Sequence, residues 1–342
     1  MSAVRAAGVV VVGDAVLDVT VAPREVVQPG ADARATIVVA PGGQGANVAV
    51  RLARRGVDAR LVGAVGGDRA ADLLRAALVA ERVTLHELRT ARSGTVVSLL
   101  DDGGERTMLS DRIPVEPVAL DPVLRSAMSG AIWLHVSGYA LRQPDGVELA
   151  RRLRAAVRSG VAVSVAGGSL PPDGHGRKPF IAAVGALGPD LLVLARGEAI
   201  GVTGRQTERG TAGLAQLAEA LSEHAPVAVV TGGASGAAMA VEGEAHLVPP
   251  PAQAAVVDAT GAGDGFVAGV IRELLDVDWP PTDAALERAM RAGAALGAAV
   301  AGVRGAQGRV AGEAPEGGQE AAPGSEAAAP AEELEARAES TP

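Results

Sequence analysis

Val257-Asp258-Ala259-Thr260-Gly261-Ala262-Gly263-Asp264-Gly265-Phe266 is the stretch on which the reading of this chain turns. It closes an apolar run and opens a helix-like pattern through Val267, Val270, Ile271, Leu274 and Leu275. Backbone N–H groups at a helix N-terminus lack intrahelical acceptors, and the macrodipole favours negative charge there. Glycine lets that backbone come close to a ligand. A carboxylate repels a bound anion, so Asp264 inside such a pocket points to chemistry rather than to binding alone. The alternative is a glycine-rich turn in which Asp264 only caps the helix.

Composition narrows the field around this stretch. The chain has 342 residues, enough for one large or two modest domains with a sizeable core. It has no cysteine, which excludes disulfide frameworks, thiolate metal sites and cysteine nucleophiles. No apolar run reaches about 18 residues, and no charged start precedes an apolar core as in a signal peptide. A cytoplasmic protein with no membrane partner is the expectation. The net charge is −9, but residues 311–342 hold eight Glu and one Arg, leaving −2 for residues 1–310. A nearly neutral body argues against a nucleic-acid partner. With only five aromatic residues, base-stacking platforms are equally poorly supplied. The single lysine is Lys178, so no Gly-Lys-Ser/Thr phosphate loop exists. Any phosphate site must work without that lysine.

Outward from the opening stretch, the chain reads as alternating elements. Residues 8–13 (Gly-Val-Val-Val-Val-Gly) form a buried strand followed by Asp14 and Asp18. A carboxylate just past a first parallel strand lies where open α/β sheets bind ligands, so Asp18 can accept from substrate hydroxyls; a solvated turn carboxylate is the alternative. Residues 34–40 alternate as a strand. Pro41-Gly42-Gly43-Gln44-Gly45-Ala46-Asn47 then forms a second glycine-rich entry to an amphipathic helix. It lacks GxGxxG spacing, so it does not indicate a dinucleotide site. Its glycines admit a polar ligand, to which Asn47 offers a donor and an acceptor; a tight strand-to-helix turn is the alternative. Asp68 is expected to cap a helix running to about residue 80. Residues 94–100 and 105–110 flank Asp101-Asp102-Gly103-Gly104 as a hairpin. With strands in 16–40 it makes a small sheet set apart, a lid. Beyond it, apolar runs at 131–136, 161–165, 191–194 and 227–230 alternate with helices near 145–158, 178–187 and 211–224. A hairpin over 237–241 and 245–248 and a helix over 283–300 follow. The expected fold is α/β: a doubly wound, mostly parallel sheet with helices on both faces, plus the β-sheet lid. One domain spans 1–310. Residues 311–342, rich in Ala, Glu, Pro and Gly, are expected to be a disordered acidic tail.

These stretches together resemble the ribokinase/PfkB carbohydrate-kinase family. Pro41 to Asn47 is similar to its GGxGxN segment. Asp258 to Asp264 is similar to its DTxGAGD segment, with only Ala259 out of pattern. Asp18, Thr231-Gly232-Gly233-Ala234-Ser235-Gly236 and Gly305-Ala306-Gln307 are supporting matches. The resemblance implies a ribokinase-like fold and transfer of the γ-phosphoryl group of ATP, with Mg²⁺, to a hydroxyl of a sugar-like small molecule. It implies Asp264 as general base and Gly261, Ala262 and Gly263 as an anion hole. Asp18, Gly42, Gly43 and Asn47 would bind substrate. Thr231, Gly233 and Gly236 would line the nucleotide site, with Glu198 holding Mg²⁺ through water. Asp258 corresponds to a position that helps hold a monovalent cation such as K⁺ in many members. The lid also implies a homodimer contact.

Two positions depart from the pattern. Ala195 stands where the family commonly has Asn before Glu198, and Ala166 where many members have a polar segment. Each missing hydrogen bond to a charged group is worth about 1.5–3 kcal/mol. Arg196 can substitute, bringing positive charge to the phosphates; a solvated surface arginine is the alternative. The alternative function is a sugar- or nucleotide-binding pseudokinase of the same fold with impaired turnover.

Overall fold

The computed structural model describes residues 8–100, 106–251 and 255–313. Its logic begins in Gly8–Val12 (β1), where every residue is buried. Side chains alternate along a strand, so Val10 and Val12 enter one core while Val9 and Val11 enter another. A strand buried on both faces must lie inside a sheet covered on both sides.

In chain order the other strands are Val16–Pro23 (β2), Ala35–Gly42 (β3), Asp58–Val65 (β4), Thr84–Arg89 (β5), Gly94–Leu100 (β6), Arg106–Asp111 (β7) and Ala131–Val136 (β8). Ala162–Ala166 (β9), Leu191–Ala195 (β10), Val227–Thr231 (β11), Ala237–Val241 (β12) and Glu244–Val248 (β13) complete them. The helices are Gln44–Ala53 (α1), Arg69–Ala80 (α2), Pro117–Ala127 (α3), Gly138–Leu141 (α4), Gly146–Ala156 (α5), Arg177–Leu187 (α6), Arg196–Thr203 (α7), Thr211–Leu221 (α8), Ala262–Leu274 (α9) and Asp283–Ala301 (α10).

The large sheet has nine strands in the order β13-β12-β11-β10-β9-β8-β1-β4-β5. Neighbours from β11 to β5 pair in parallel, and β12 and β13 add an antiparallel edge. One core packs α3, α5, α6 and α8 on the sheet through residues such as Leu120, Leu149, Phe180 and Leu217. The opposite core packs α1, α2, α9 and α10 through Leu52, Leu74, Ile271 and Leu286. The fold is therefore the doubly wound α/β arrangement expected. The chain leaves β1 toward β4 on one side and β8 on the other, and a sheet that reverses order at such a point opens a crevice at its carboxyl ends.

The second sheet has four strands, β3-β2-β6-β7. It contains the expected lid strands, and Asp18 lies within strand β2 rather than on a turn. The turn Asp101-Asp102-Gly103-Gly104 lies outside the described residues. Asp68 caps α2 as expected, accepting from Ala71 N at 3.0 Å, and it also accepts from the Ser93 amide and hydroxyl at 2.8 Å. Among the described residues no helix is long and apolar enough to cross a membrane.

The boundary at residue 310 needs correction. Glu313 is fully buried and pairs with the equally buried Arg51 of α1 at 2.8 Å. Arg54 adds a second contact to the same carboxylate at 3.5 Å. An acidic residue in an Ala/Gly/Pro-rich context reads as solvated, yet burying Arg51 requires an anion, and residue 313 supplies it. The packed domain therefore reaches at least Glu313, and residues 314–342 lie outside the described residues.

Candidate active site

A cavity of about 700 Å³ opens past the carboxyl ends of β9, β10 and β11 and is bordered by the small sheet. Asp18 of β2 and Met108 of β7 reach its wall from the lid, while Ala166, Ala195 and Thr231 mark the strand ends. Thr260, Gly261, Gly263 and Asp264 enter from the start of α9.

That start is built by glycine. Gly261 precedes α9 with φ +76, and a Cβ there would lie 2.8 Å from Ala306. L residues avoid this left-handed region, so glycine makes the turn without strain. The Ala262 amide donates to Ala259 O at 3.2 Å, whereas no backbone acceptor meets the Gly261 and Gly263 amides among the described residues. Of the three expected anion-hole donors, two are thus open at a helix N-terminus and one is engaged.

Asp264, in the first turn of α9, lines the cavity and accepts from Asn47 Nδ2 at 2.8 Å. Its carboxylate keeps an edge on the cavity, but the surrounding chain strips it of most water. That desolvation raises its pKa to about 7, against the opposing pull of the Asn47 hydrogen bond and of Arg51 and Arg112. Nearby Asp18 pushes in the same direction as burial. A carboxylate poised near neutrality can take and release a proton.

The Pro41 to Asn47 segment faces it. Gly43 precedes α1 with φ +102, and a Cβ there would lie 2.6 Å from Asp14 O. Gly42 lies directly against the Asp18 carboxylate, in space that a side chain at 42 would fill. Gly43, Asn47 and Asp18 therefore share one end of the cavity, and Gly42 backs them. Further side chains complete this end. Gln44 donates to Gly167 O at 2.5 Å and accepts from Ser137 Oγ at 2.5 Å. Arg112 pairs with Asp14 and stacks over Tyr139, 3.8 Å from the ring centroid.

At the other end, Glu198 holds the loop after β9. It accepts from the Ser169 and Ala195 amides at 2.6 and 2.9 Å. Ser169 is held at φ +55, an uncommon conformation for a non-glycine residue. Burial raises the Glu198 pKa despite these bonds. Ala166, Val193 and Ala195 leave the adjoining wall apolar. Thr231 reaches the cavity, while Gly233 and Gly236 shape the 3₁₀ turn beyond it.

Arg196 corrects an expectation. Its Nη2 turns away to donate to the carbonyls of Thr207 and Glu208 at 2.5 and 3.1 Å, so it does not line the cavity. As the first residue of α7 it satisfies loop carbonyls, which compete successfully for a guanidinium. Asp258 binds the Thr260 and Gly305 amides at 2.8 and 2.9 Å, joining the α9 entry to the turn at residue 305. Among the described residues no three metal-ligating side chains gather as a metal site.

Comparison with known proteins agrees with this geometry. Residues 6–311 match the family described as pfkB family carbohydrate kinase. A fructokinase from Klebsiella pneumoniae is 31% identical over 304 residues, covering 86% of this chain and 94% of that protein. An ATP-dependent ribose-1-phosphate kinase from Halopiger xanaduensis is 31% identical over 275 residues, covering 78% and 82% respectively. The ribokinase structure from Giardia lamblia superposes with a TM-score of 0.76 at 17% identity, covering 88% of this chain and 95% of that one. The chain belongs to the pfkB family of carbohydrate kinases.

Proposed function

We propose that this pfkB family member transfers the γ-phosphoryl group of ATP to a hydroxyl of a neutral sugar, with Asp264 as the general base. The observation that carries the proposal is the placement of Asp264. It lies in the first turn of α9, beside open amides, held by Asn47 and raised toward neutral pH by burial.

The acceptor hydroxyl gives its proton to Asp264 as its oxygen bonds to the γ-phosphorus and the bridging P–O bond to ADP breaks. The Gly261 and Gly263 amides and the α9 dipole face the charge carried by the transferred group. Such donors are worth about 10²–10³ in rate each, and a positioned base about 10²–10⁴. Positioning and charge stabilisation suffice for phosphoryl transfer, which explains how the site dispenses with a lysine. Asp18, Asn47 and the backbone at Gly43 hold the acceptor. Thr231 and the turn containing Gly233 and Gly236 lie toward the nucleotide.

Mg²⁺ takes one or two carboxylates and otherwise waters and phosphates. Glu198, a carboxylate beside the apolar wall of the cavity, fits that need through water while its oxygens bind the loop amides. When bound with ATP, Mg²⁺ neutralises phosphate charge. Asp258, tying two loops beside the open amides, is the proposed support for a monovalent cation such as K⁺.

Charge selects the acceptor. Asp18 and Asp264 both face it, and among the described residues Arg112, which lines the same cavity, is paired with Asp14. A phosphorylated acceptor brings its charge toward the Asp264 carboxylate, whereas a ketohexose such as fructose can donate a hydroxyl to it. The expected result is a kcat/KM for fructose at least about 10²-fold above that for ribose 1-phosphate, since one like-charge encounter costs several kcal/mol. A preference for ribose 1-phosphate contradicts the neutral-sugar reading. ATP binding without transfer to any acceptor supports the pseudokinase, to which the apolar wall at Ala166 and Ala195 is suited.

The small sheet supports a dimer. Its edge strand β3 exposes Ile37, Val38 and Val39 at 60, 55 and 53%, and edge strand β7 exposes Leu109 at 61%. Consecutive exposed apolar residues on an edge strand invite pairing, and lysine there blocks it. A second copy covering this face is therefore part of the proposal. Val38→Lys is expected to halve the sedimenting mass while leaving the fold intact; a wild-type protein that sediments as a monomer removes the dimer.

A further inference from the structure

Gln307 lies outside the cavity, in the Gly305-Ala306-Gln307 turn that the sequence marks near the end of the domain. Its Nε2 donates to Asn47 Oδ1 at 3.1 Å, while Asn47 Nδ2 donates to Asp264 Oδ2 at 2.8 Å. Chemistry dictates the direction of both bonds. An ionised carboxylate only accepts, so Asn47 must turn its nitrogen to Asp264 and its oxygen away, and only a donor can satisfy that oxygen. Asn47 is 5% exposed, so water gives it little alternative.

The turn carrying Gln307 is itself clamped. Arg51 of α1 donates to Ala306 O at 2.7 Å, and Arg54, capping the end of that helix, donates to Gln307 O at 2.8 Å. Gly305 donates to Asp258 at 2.9 Å. Helix α1, the entry to α9 and the terminal turn thus converge on one amide.

We propose that Gln307 is a positioning residue: by holding the Asn47 amide nitrogen on Asp264, it sets how readily that carboxylate takes a proton. The proposal rests on Asp264 acting as the base. The other charged groups facing Asp264 are Arg51 of α1 and Arg112 after β7, which favour its ionised form, and Asp18 of β2, which opposes it. Of the influences that oppose desolvation, the Asn47 hydrogen bond is the largest. Without Gln307 the Asn47 amide can rotate, the bond weakens, and Asp264 holds its proton to higher pH.

Gln307→Met keeps the shape but cannot donate, and its backbone carbonyl still accepts from Arg54. The titration of the Asp264 side-chain carboxyl is followed by ¹³C NMR, with its resonance assigned by loss in Asp264→Asn. The midpoint is expected to rise by about half to one pH unit, the net worth of one hydrogen bond. The acid limb of kcat should move with it while the KM for ATP stays constant. Gln307→Glu, which replaces the donor with an acceptor, is expected to move the midpoint the same way and serves if the methionine variant does not fold. A midpoint unchanged in the folded variants overturns the proposal, whatever happens to rate or melting temperature. Turnover surviving in Asp264→Asn overturns the general-base reading instead, and the carboxyl titration still decides the role of Gln307.

Discussion

Asp264→Asn is expected to lower kcat by about 10²–10⁴ while ATP binding measured by calorimetry persists. The substitution preserves shape and a partner for Asn47 but removes the proton acceptor. It also removes a carboxylate that burial disfavours. With the folded pKa raised to about 7 from 3.8, the folded state binds the proton more tightly than the unfolded chain. Stability is then lost as pH rises from about 4 to about 7. The asparagine variant escapes that loss, so its melting temperature should exceed the wild type's at pH 8 and converge with it near pH 4. The gain is roughly a few kcal/mol at most, because the carboxylate keeps an edge on the cavity. A variant that is inactive but less stable at pH 8 would indicate that Asp264 is a structural anchor and not a strained catalytic group.

The second large effect concerns Glu313. Glu313→Ala leaves Arg51 buried and fully enclosed without its partner, a loss of about 3–5 kcal/mol. For a domain of this size the melting temperature should fall by roughly 5–15 °C. Ending the chain after Val310 removes the same carboxylate and is expected to match or exceed that loss. Because Arg51 also donates to Ala306 O, both changes loosen the turn that carries Gln307, and kcat should fall as well. Unchanged melting after either change would show that Arg51 finds another anion or that the last packed residues contribute nothing.

Much of this architecture can be read before any coordinates. Continuous valine and leucine runs announce doubly covered strands, and two glycine-rich helix entries mark where a ligand meets the backbone. What sequence cannot supply is who faces whom. Asn47 and Asp264 are 217 positions apart, and only the sheet's reversal at β1 makes them hydrogen-bond partners. Glu313 is hidden in a low-complexity context because its partner, Arg51, lies 262 positions earlier. Arg196 looked like a phosphate ligand because the chain is short of lysine, but the nearby loop carbonyls claim it. Strand β5, mostly half-exposed and polar at the sheet edge, gives no apolar run to detect, and Pro122 inside α3 masks its helical pattern. Arg112, Asp14 and Tyr139 come from three separate parts of the chain, so their stacking and pairing are tertiary facts without a local signal.

The dependence of kcat on pH for phosphoryl transfer from ATP to fructose tests the role of Asp264 most directly. The expected profile has an acid limb with a midpoint near 7, set by the proton on the half-buried Asp264, and loses that limb together with turnover in Asp264→Asn. Transfer that is flat from pH 5 to 9, or that survives intact in the asparagine variant, would contradict it.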